Sequence, residues 1–402
     1  MEELRNRPEV RFKEFEENWE IKNLGEIATF SKGRGYSKND LKSTGTPIVL
    51  YGRLYTNYET SISSVNTFAE LKDKSVLSKG HEVIVPASGE TAEDIARASA
   101  ILEPNIIIGS DLHIIYTDKI DPVFLSLLIS HGNSNKELSR LAQGKSVVHL
   151  GVNDLRNLII DYPNDKEQSQ IGTFFQHLDS LITRHQQKYT KLLTFKKAML
   201  EKMFPKAGAD VPEIRFKGFD GKWDEMKLGD IGSVAMNKRI FKNQTSEKEE
   251  IPFYKIGTFG GIADAFISRE LFEEYKSKYS YPKKGDILIS ASGSIGRIVQ
   301  YSGADEYFQD SNIVWLVHDG SVKNCFLKYF YSVVKWEGLE GSTIKRLYNK
   351  NILMTKISLP TIAEQTKIGS FFQQLDNLIA SQKIQIEKLQ NLKQALLNKM
   401  FV

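Results

Sequence analysis

The chain repeats part of itself, and this internal repeat constrains the fold more than any other feature of its 402 residues. Segment 8–27, PEVRFKEFEENWEIKNLGEI, matches segment 212–231, PEIRFKGFDGKWDEMKLGDI, with ten identities in twenty positions. Segment 167–204, which opens EQSQIGTFFQHLD, matches segment 364–401, which opens EQTKIGSFFQQLD, with nineteen identities in thirty-eight. The offsets of 204 and 197 residues are similar, so the two matches indicate a tandem duplication.

The sequence between these anchors is largely different in the two halves. Two short echoes remain: GHEVIVPASG, ending at Gly89, is similar to GDILISASG, ending at Gly293. The phrase LAQGKSVVHL around Gly144 also aligns with GSTIKRL, which begins at Gly341. The frame is therefore duplicated, whereas its contents have diverged.

The divergent segments predict strands with a few short helices. Runs of β-branched and aromatic residues between Gly, Pro and Asn are typical of strands; they are TPIVLYGRLY, EVIVPASG and LHIIYT in the first half, and DILISASG and NIVWLVH in the second. DPVFLSLLISHG, from Asp121, and NCFLKYFYSVVKW, from Asn324, read as helices on those strands. Each segment is therefore predicted to be an α+β domain.

The repeated tails predict two long helices. Apolar residues recur every three or four positions over more than five turns, from Ile171 to Met203 and from Ile368 to Met400. A narrow stripe of this period is a coiled-coil seam, and we expect the two helices to pair antiparallel. The alternative is that each helix packs only on its own domain. Asp179 and Asp376 flank the stripe and are expected to be solvated or partner-facing rather than catalytic.

Each seam is interrupted once by a polar residue, at His185 in the first tail and at Gln382 in the second. These positions are equivalent and lie at the midpoint of the aligned tails, so an antiparallel pair would bring them face to face. A polar pair there would fix the register of the two helices. The alternative is that both are solvated at the edge of the seam.

The predicted fold class is α+β, with two tandem globular domains separated by two long antiparallel coiled-coil helices in a pseudo-two-fold arrangement. The predicted boundaries are 1–163 for the first domain, 164–207 for the central helix, 208–360 for the second domain and 361–402 for the C-terminal helix. This division places the duplicated sequence in the joints and helices.

Several kinds of chemistry find no support in the sequence. Cys325 is the sole cysteine, which excludes an internal disulfide and a multi-cysteine zinc site. The sequence has no phosphate-binding GxxxxGK[ST] loop, no Gly-x-Ser-x-Gly elbow and no histidine pair with metal-ligand spacing. It also has no Pro-Pro dipeptide, so the Asn/Asp-Pro-Pro-aromatic signature of amino-methyltransferases is missing. We therefore expect no catalytic residues, no bound metal and no cofactor in this chain.

The composition is typical neither of a membrane protein nor of a strongly basic nucleic-acid-binding protein. The N-terminus is charged from its second residue and no apolar run approaches the length of a membrane span, so we expect a cytoplasmic protein. The net charge of +4 is only mildly basic. If DNA is bound, local patches or partners must supply part of the attraction to phosphate.

Short loops that combine basic, hydroxyl and aromatic residues recur at corresponding places in both halves, and such residues contact phosphates and base edges. The candidate DNA-binding residues are Lys32, Arg34, Tyr36, Lys38, Lys145, Ser146 and His149 in the first half, and Lys238, Arg239, Lys242, Ser292, Ser294, Arg297, Ser342, Thr343, Lys345 and Arg346 in the second. For any one of them an ordinary surface turn is an equally good interpretation. Because such loops recur in both halves, DNA contact is better supported for the whole set than for any single residue.

The whole pattern resembles the specificity subunit of Type I restriction-modification systems. The resemblance rests on the tandem frame, the EQxxIGxFFQxLDxLI openings at Glu167 and Glu364, the phrase GSTIKRL, and the domain-opening phrases PEVRFKEF and PEIRFKGF, each followed by a Trp and LG[ED]I. The first half departs from it, since GKSVVHL carries Val148 and His149 where the second half has Lys345 and Arg346.

This resemblance implies two target-recognition domains that each read one half of a bipartite double-stranded DNA site, with the helices as a ruler. It also implies two methylation subunits and two restriction subunits as partners, to which S-adenosylmethionine, ATP and magnesium would belong. Two other hypotheses stay open: a free-standing bipartite DNA-binding repressor, and a nuclease or methyltransferase with an unrecognised site.

Overall fold

The computed structural model describes residues 7–142, 144, 147–336 and 345–401. The described chain divides into two compact units. The first consists of residues 1–186 together with 384–402, and the second of residues 187–383. Each unit mixes strands and helices, so the predicted α+β class is confirmed. The predicted domain boundaries remain predictions.

The described part of the first unit contains fourteen short strands and the start of the first long helix. Its strands are β1 (Glu20–Asn23), β2 (Thr29–Lys32), β3 (Leu41–Lys42), β4 (Thr46–Val49), β5 (Ser61–Ile62), β6 (Phe68–Ala69), β7 (Leu77–Lys79), β8 (Glu82–Pro86), β9 (Ser88–Gly89), β10 (Ser99–Ile101), β11 (Pro104–Ile108), β12 (Leu112–Tyr116), β13 (Val148–His149) and β14 (Ile159–Tyr162). Its helices are α1 (Leu24–Ile27), α2 (Arg53–Thr56), α3 (Ala92–Ile95), α4 (Pro122–Ser130), α5 (Gly132–Leu141), α6 (Val152–Arg156) and the start of α7 (Asp165–Lys202).

The described part of the second unit is built in the same way with fewer strands. Its strands are β15 (Asp224–Lys227), β16 (Gly232–Met236), β17 (Ile251–Tyr254), β18 (Phe266–Ile267), β19 (Ile287–Ser290), β20 (Ile298–Gln300), β21 (Tyr307–Phe308), β22 (Ile313–His318) and β23 (Lys356–Leu359). Its helices are α8 (Leu228–Ile231), α9 (Arg269–Lys278), α10 (Asn324–Val333), α11 (Asn349–Met354) and the start of α12 (Ile362–Met400).

The two units share one sheet plan although their sequences differ. The first has a five-stranded sheet in the order β2-β12-β8-β10-β5, and the second a four-stranded sheet in the order β16-β22-β19-β20. A second sheet pairs β4 parallel with β11 in the first unit and β17 parallel with β21 in the second. The sheets therefore preserve the duplication where sequence identity has been lost.

The strands and helices predicted from short apolar runs are present, with one difference. The run TPIVLYGRLY is a strand only over its first four residues, and RLYT forms the helix α2. The chain turns at Leu50, whose carbonyl oxygen accepts from the amide of Arg53 at 2.9 Å. Tyr55 therefore lies on a helix rather than on a strand.

The glutamate and the glutamine of the EQxxIG phrase bind each long helix to the rest of its unit. The carboxylate of Glu167, which is fully buried, accepts two hydrogen bonds of 2.6 Å from the guanidinium of Arg11. Gln168 accepts from the backbone amide of Asp121, at the start of α4, at 2.8 Å. In the second unit Arg215 and Glu364 form the equivalent pair at 2.7 Å. These contacts explain why the phrases around Arg11 and Glu167 recur together.

The glycine of the phrase permits a close approach of two helices. A Cβ atom added at Gly369 would lie 2.6 Å from the Sγ atom of Cys325 on α10, so any larger residue would push the helices apart. Burial raises the pKa of the Cys325 thiol, which keeps the thiol protonated. Cys325 therefore packs between helices, in agreement with its apolar surroundings in the sequence.

In each unit the two long helices run antiparallel. In the first, Asp179 of α7 pairs with Lys393 of α12 at 2.5 Å, while the earlier Phe175 contacts the later Phe401. In the second unit Lys196 of α7 pairs with Asp376 of α12 at 2.5 Å. Each aspartate therefore faces the partner helix and forms an ion pair with it, which agrees with the partner-facing interpretation rather than with the solvated one.

His185 and Gln382 both lie within the long helices. His185 is half-buried, and the side chain of Gln382 is 7% exposed, which is unusual for a polar residue on so narrow an element. The burial of Gln382 agrees with a position on the helix seam rather than at its solvated edge. The pairing of these two residues with one another remains a prediction.

Candidate nucleic-acid interface

The basic loop of the first unit leaves one edge of its main sheet. Lys32 at the end of β2 pairs with His113 of β12, and Leu112 pairs with Pro86 at the end of β8. This register places the loops after β2 and after β8 at the same edge. Lys32, Arg34 and Lys38 are exposed there.

The carboxylate of Asp40 holds this loop in place. Lys72 and Ser37 donate hydrogen bonds to it. The bond from Lys72 first, and then those from Ser37, lower the pKa of Asp40 to about 2. The carboxylate is thus ionised at neutral pH, and it closes the turn that presents Lys38.

The second unit repeats this arrangement. Met236 at the end of β16 pairs with Val314, and Ser290 at the end of β19 pairs with Ile313. The loop after β16 carries Lys238, Arg239 and Lys242, which are all exposed. Arg239 donates to the carboxylate of Asp310 in the loop before β22 at 3.0 Å, so these two loops are in contact at this edge.

The two short sequence echoes pair with each other in both units. Ser88 lies opposite His149 in the ladder of β9 and β13, and Ser292 lies opposite Arg346 in an isolated bridge. The flanking backbone bonds also correspond: Leu150 donates to Ala87 at 3.0 Å, as Leu347 donates to Ala291 at 2.8 Å. The structure therefore brings His149 and Arg346 to equivalent places at the loop edge.

A cleft opens between these loops in each unit. The cleft of the second unit has a volume of about 340 Å³ and is lined by Met236, Ala291, Ser311, Arg346, Leu347, Tyr348, Asn349 and Lys350. The cleft of the first unit has a volume of about 430 Å³ and is lined by Tyr51, Gly52, Tyr55, Thr56, Ser88, Gly89, Glu90, Asp94 and Val147. The second cleft contains the basic residues Arg346 and Lys350, whereas the first contains the acidic residues Glu90 and Asp94, so the two surfaces differ in charge.

Two candidate residues are structural. Tyr36 is 4% exposed and packs with Ile48 and Ile107, and its hydroxyl donates to the carbonyl of Glu70 at 3.0 Å. Ser292 is 6% exposed, and its hydroxyl donates to the side-chain oxygen of Asn312 at 2.6 Å. Both side chains are therefore buried and held by hydrogen bonds within the protein, and their contact with DNA remains a prediction.

The remaining candidates divide into three groups. Lys345, Arg346 and His149 are exposed, as is Ser294, whose carbonyl oxygen accepts from Ser290 at 2.5 Å. Arg297 is exposed but donates to the carbonyl of Phe259 at 2.8 Å, so its guanidinium braces a neighbouring loop. Four candidates lie outside the described residues: Lys145, Ser146, Ser342 and Thr343.

The structure adds residues that the sequence did not nominate. Tyr348, Asn349 and Lys350 line the second cleft, and they follow GSTIKRL directly, so extending that phrase by three residues would have found them. Asn237 is 2% exposed beside Met236, and among the described residues none hydrogen-bonds its side-chain amide. No sequence pattern could have predicted that this amide is buried without a hydrogen-bond partner at the edge of a cleft.

The described residues show neither a metal centre nor a membrane segment. Within these ranges, no three His, Cys, Asp or Glu side chains are grouped so that they could hold a metal ion. In the same part of the chain, no helix has the length and apolarity needed to cross a bilayer.

Comparison with known proteins defines the family. The model of the Type I restriction modification DNA specificity domain matches residues 16–194 and 220–391, well over half of the chain. The chain therefore belongs to this family and carries two of its domains in tandem. The resemblance seen in the sequence is confirmed.

Individual relatives have the same description. A putative type I restriction enzyme specificity subunit of Haemophilus influenzae is 57% identical over 163 residues, which are 39% of this chain and 42% of that subunit. A specificity subunit of Methanocaldococcus jannaschii is 22% identical over 95% of this chain and 92% of its own length. A putative one from the same organism is 24% identical over 96% and 93%.

Solved structures share the fold over nearly the whole chain. The S subunit of the Type I restriction-modification system from M. genitalium has a TM-score of 0.64 at 17% identity, and the match covers 98% of this chain and 99% of that one. A chain from a structure of complex assembly in the type I R-M system has a TM-score of 0.53 at 20% identity and covers 95% and 97%.

Proposed function

We propose that each unit reads one half of a bipartite double-stranded DNA sequence through the loops at one edge of its main sheet. The observation that carries this proposal is the pairing of Ser88 with His149 and of Ser292 with Arg346, because it places equivalent loops at equivalent edges in two units of different sequence. Equivalent frames with different side chains suit two different half-sites.

The chemistry of the loops agrees with a DNA ligand. Exposed cations at each edge, among them Arg34 and Lys38 in the first unit and Lys238 and Arg346 in the second, can neutralise phosphates. Tyr348 and Asn349 in the second cleft add an aromatic ring and an amide, which contact base edges. The modest net charge of +4 agrees with partner proteins that share the phosphate contacts.

Catalysis and cofactor binding belong, in this proposal, to partner proteins. Two methylation subunits would dock on this chain and two restriction subunits would join that core, all in the cytoplasm. S-adenosylmethionine, ATP and magnesium would bind to those subunits, and this chain would catalyse no reaction. Methyl transfer or DNA cleavage by the purified chain alone would refute this assignment.

An exchange of one reading segment tests the assignment of half-sites. Residues 30–160 of this chain are replaced by the corresponding residues of a relative, and methylated adenines are mapped by single-molecule sequencing in a host that carries the methylation subunit. We expect one half-site to change and the other to persist. A change in both half-sites would contradict reading by separate units, and methylation without any bipartite motif would contradict the function itself.

A second experiment tests whether the long helices set the spacer. Seven residues, two full turns, are inserted at the middle of both α7 and α12, which lengthens each helix by about 11 Å, the length of about three base pairs. Both half-sites should persist with a longer spacer. A matched variant with the insertion in one helix only controls for disruption of the pair, and unchanged spacing in the double variant would refute the ruler.

A further inference from the structure

Ile262 is an apolar side chain that is almost fully exposed beside the proposed reading loops of the second unit. Ile262 is 91% exposed, whereas Met354 and Phe241, which are also exposed, reach 65% and 57%. Single exposed apolar residues are common on protein surfaces. The position of Ile262 and the construction of its loop are what distinguish it.

The loop that carries Ile262 leaves the same edge of the unit as the basic loops. Tyr254 at the end of β17 pairs with Phe308 at the end of the parallel strand β21, so the chain segments that follow both strands emerge together. The segment after β21 leads directly into Ile313, the first residue of β22 at the loop edge. Gln309 also joins the two segments, because its side chain accepts from the amide of Ile256 at 2.9 Å.

This loop is braced from inside and closed at its neck. Phe259 is 1% exposed and contacts the ring of Phe308 at 6.4 Å. The guanidinium of Arg297 donates to the carbonyl of Phe259 at 2.8 Å, and Lys255 pairs with Asp264 at 2.8 Å. The chain around Ile262 is thus fixed while the side chain itself is left in solvent.

The tip of the loop is also narrow. Gly260 and Gly261 precede Ile262 and Ala263 follows it, so its neighbours carry at most one side-chain carbon each. Gly260 has a φ of +76°, in the left-handed region that glycine adopts without strain. A slim tip with one projecting branched side chain fits a DNA groove, where isoleucine is among the apolar residues that enter between bases.

We propose that Ile262 makes an apolar contact with the bases of the half-site read by the second unit. The occupant is DNA because the surrounding loops are cationic: the stem of Arg297 lies 3.8 Å from the place that a Cβ atom added at Gly260 would take, and Lys238 and Arg239 are exposed on the adjacent loop. This inference rests on the proposed function, since it names a residue that selects sequence within it.

The test combines a protein variant with altered DNA. The complex of this chain with its methylation subunits is titrated with the full bipartite site and with sites in which one half is scrambled. Ile262→Ala should weaken binding to the full site about tenfold, the usual scale of one lost base contact. The loss should persist when the first half-site is scrambled and vanish when the second is.

Val317→Ala is the matched control. Val317 is branched and 52% exposed on β22, near the end of that strand remote from the loop edge, so its substitution should leave DNA binding unchanged. An equal loss with Val317→Ala, no loss with Ile262→Ala, or a loss independent of the second half-site would overturn the proposal. Weaker binding of Ile262→Ala to the methylation subunit would overturn it too, and an absence of any bipartite preference in the wild-type complex would instead refute the proposed function.

Discussion

In each unit one fully buried glutamate depends on a single arginine for charge balance. Glu167 forms an ion pair with Arg11, whose side chain is 12% exposed, and Glu364 forms one with Arg215, whose side chain is 16% exposed. Both arginines also donate to backbone carbonyls, Arg11 to Glu17 at 2.6 Å and Arg215 to Gly221 at 2.6 Å. Because the forked guanidinium satisfies both carboxylate oxygens, a lysine could not replace it.

Removal of Arg11 should therefore destabilise the first unit severely. Arg11→Ala leaves a buried carboxylate without a counter-charge, which costs about 3–5 kcal/mol, and hydrogen exchange should accelerate at the start of α7. Arg7→Ala is the control, since Arg7 is exposed and bonds Asn18 at the surface; it should change little. The double variant Arg11→Met with Glu167→Met should recover much of the loss, and failure to recover would assign the effect to packing.

The sequence predicted that these residues matter but not what they do. Arg11 and Glu167 are 156 positions apart, so neither repeated phrase reveals its partner, and only the fold brings them together. Tyr36 shows the opposite case, a candidate contact residue that the fold buries. It stands in a basic loop, yet it follows Gly33, where an added Cβ would lie 1.9 Å from the carbonyl of Gly109, and this close approach of two chain segments turns the tyrosine into the core.

At the scale of elements, the long helices are joined by ion pairs as well as by apolar residues. The carboxylate of Asp376 on α12 accepts from Lys196 at 2.5 Å, from the hydroxyl of Tyr329 at 2.9 Å and from Lys328 at 3.3 Å. Burial raises the pKa of Asp376, but the bonds from Lys196 and Tyr329 and the nearby charges outweigh burial and lower it. The periodic apolar residues of the long helices predicted the seam between them. The flanking ion pairs could not be predicted, because their partners are brought together only by the fold.

Acid should weaken this helix contact. A carboxyl group whose pKa is lower when folded stabilises the folded state above its unfolded pKa, near 4, and this contribution is lost as the pH falls through the folded value. Asp376→Asn should therefore destabilise the second unit by roughly 1–2 kcal/mol at neutral pH and flatten the fall in its stability between about pH 5 and pH 2. Hydrogen exchange of α10 measured across that range checks this, with Asp179→Asn as the control that spares the second unit.

At the scale of the whole molecule, the residues at the C-terminal ends of the two long helices complete the cores of the two units. Phe401, the last residue described, is 5% exposed and lies 5.8 Å from Phe124 and 6.0 Å from Phe175, so the first unit incorporates residues from the opposite end of the chain. Phe204, two residues after α7, packs in the second unit against Phe326, with 5.2 Å between the ring centroids. The repeated KMF ending of both helices is thus a core element in each unit.

Two matched substitutions should therefore act on different units. Phe401→Ala should loosen the first unit and Phe204→Ala the second, each by about 3–5 kcal/mol, because each removes a buried aromatic ring and leaves a cavity. Hydrogen exchange should accelerate in α4 with the first variant and in α10 with the second. Since α4 follows β12 and α10 follows β22, which both begin at the loop edge, each variant should also weaken only the half-site of its own unit. If Phe401→Ala accelerated hydrogen exchange equally in α4 and α10, the two cores would unfold together. Such substitutions could then not weaken one half-site without the other.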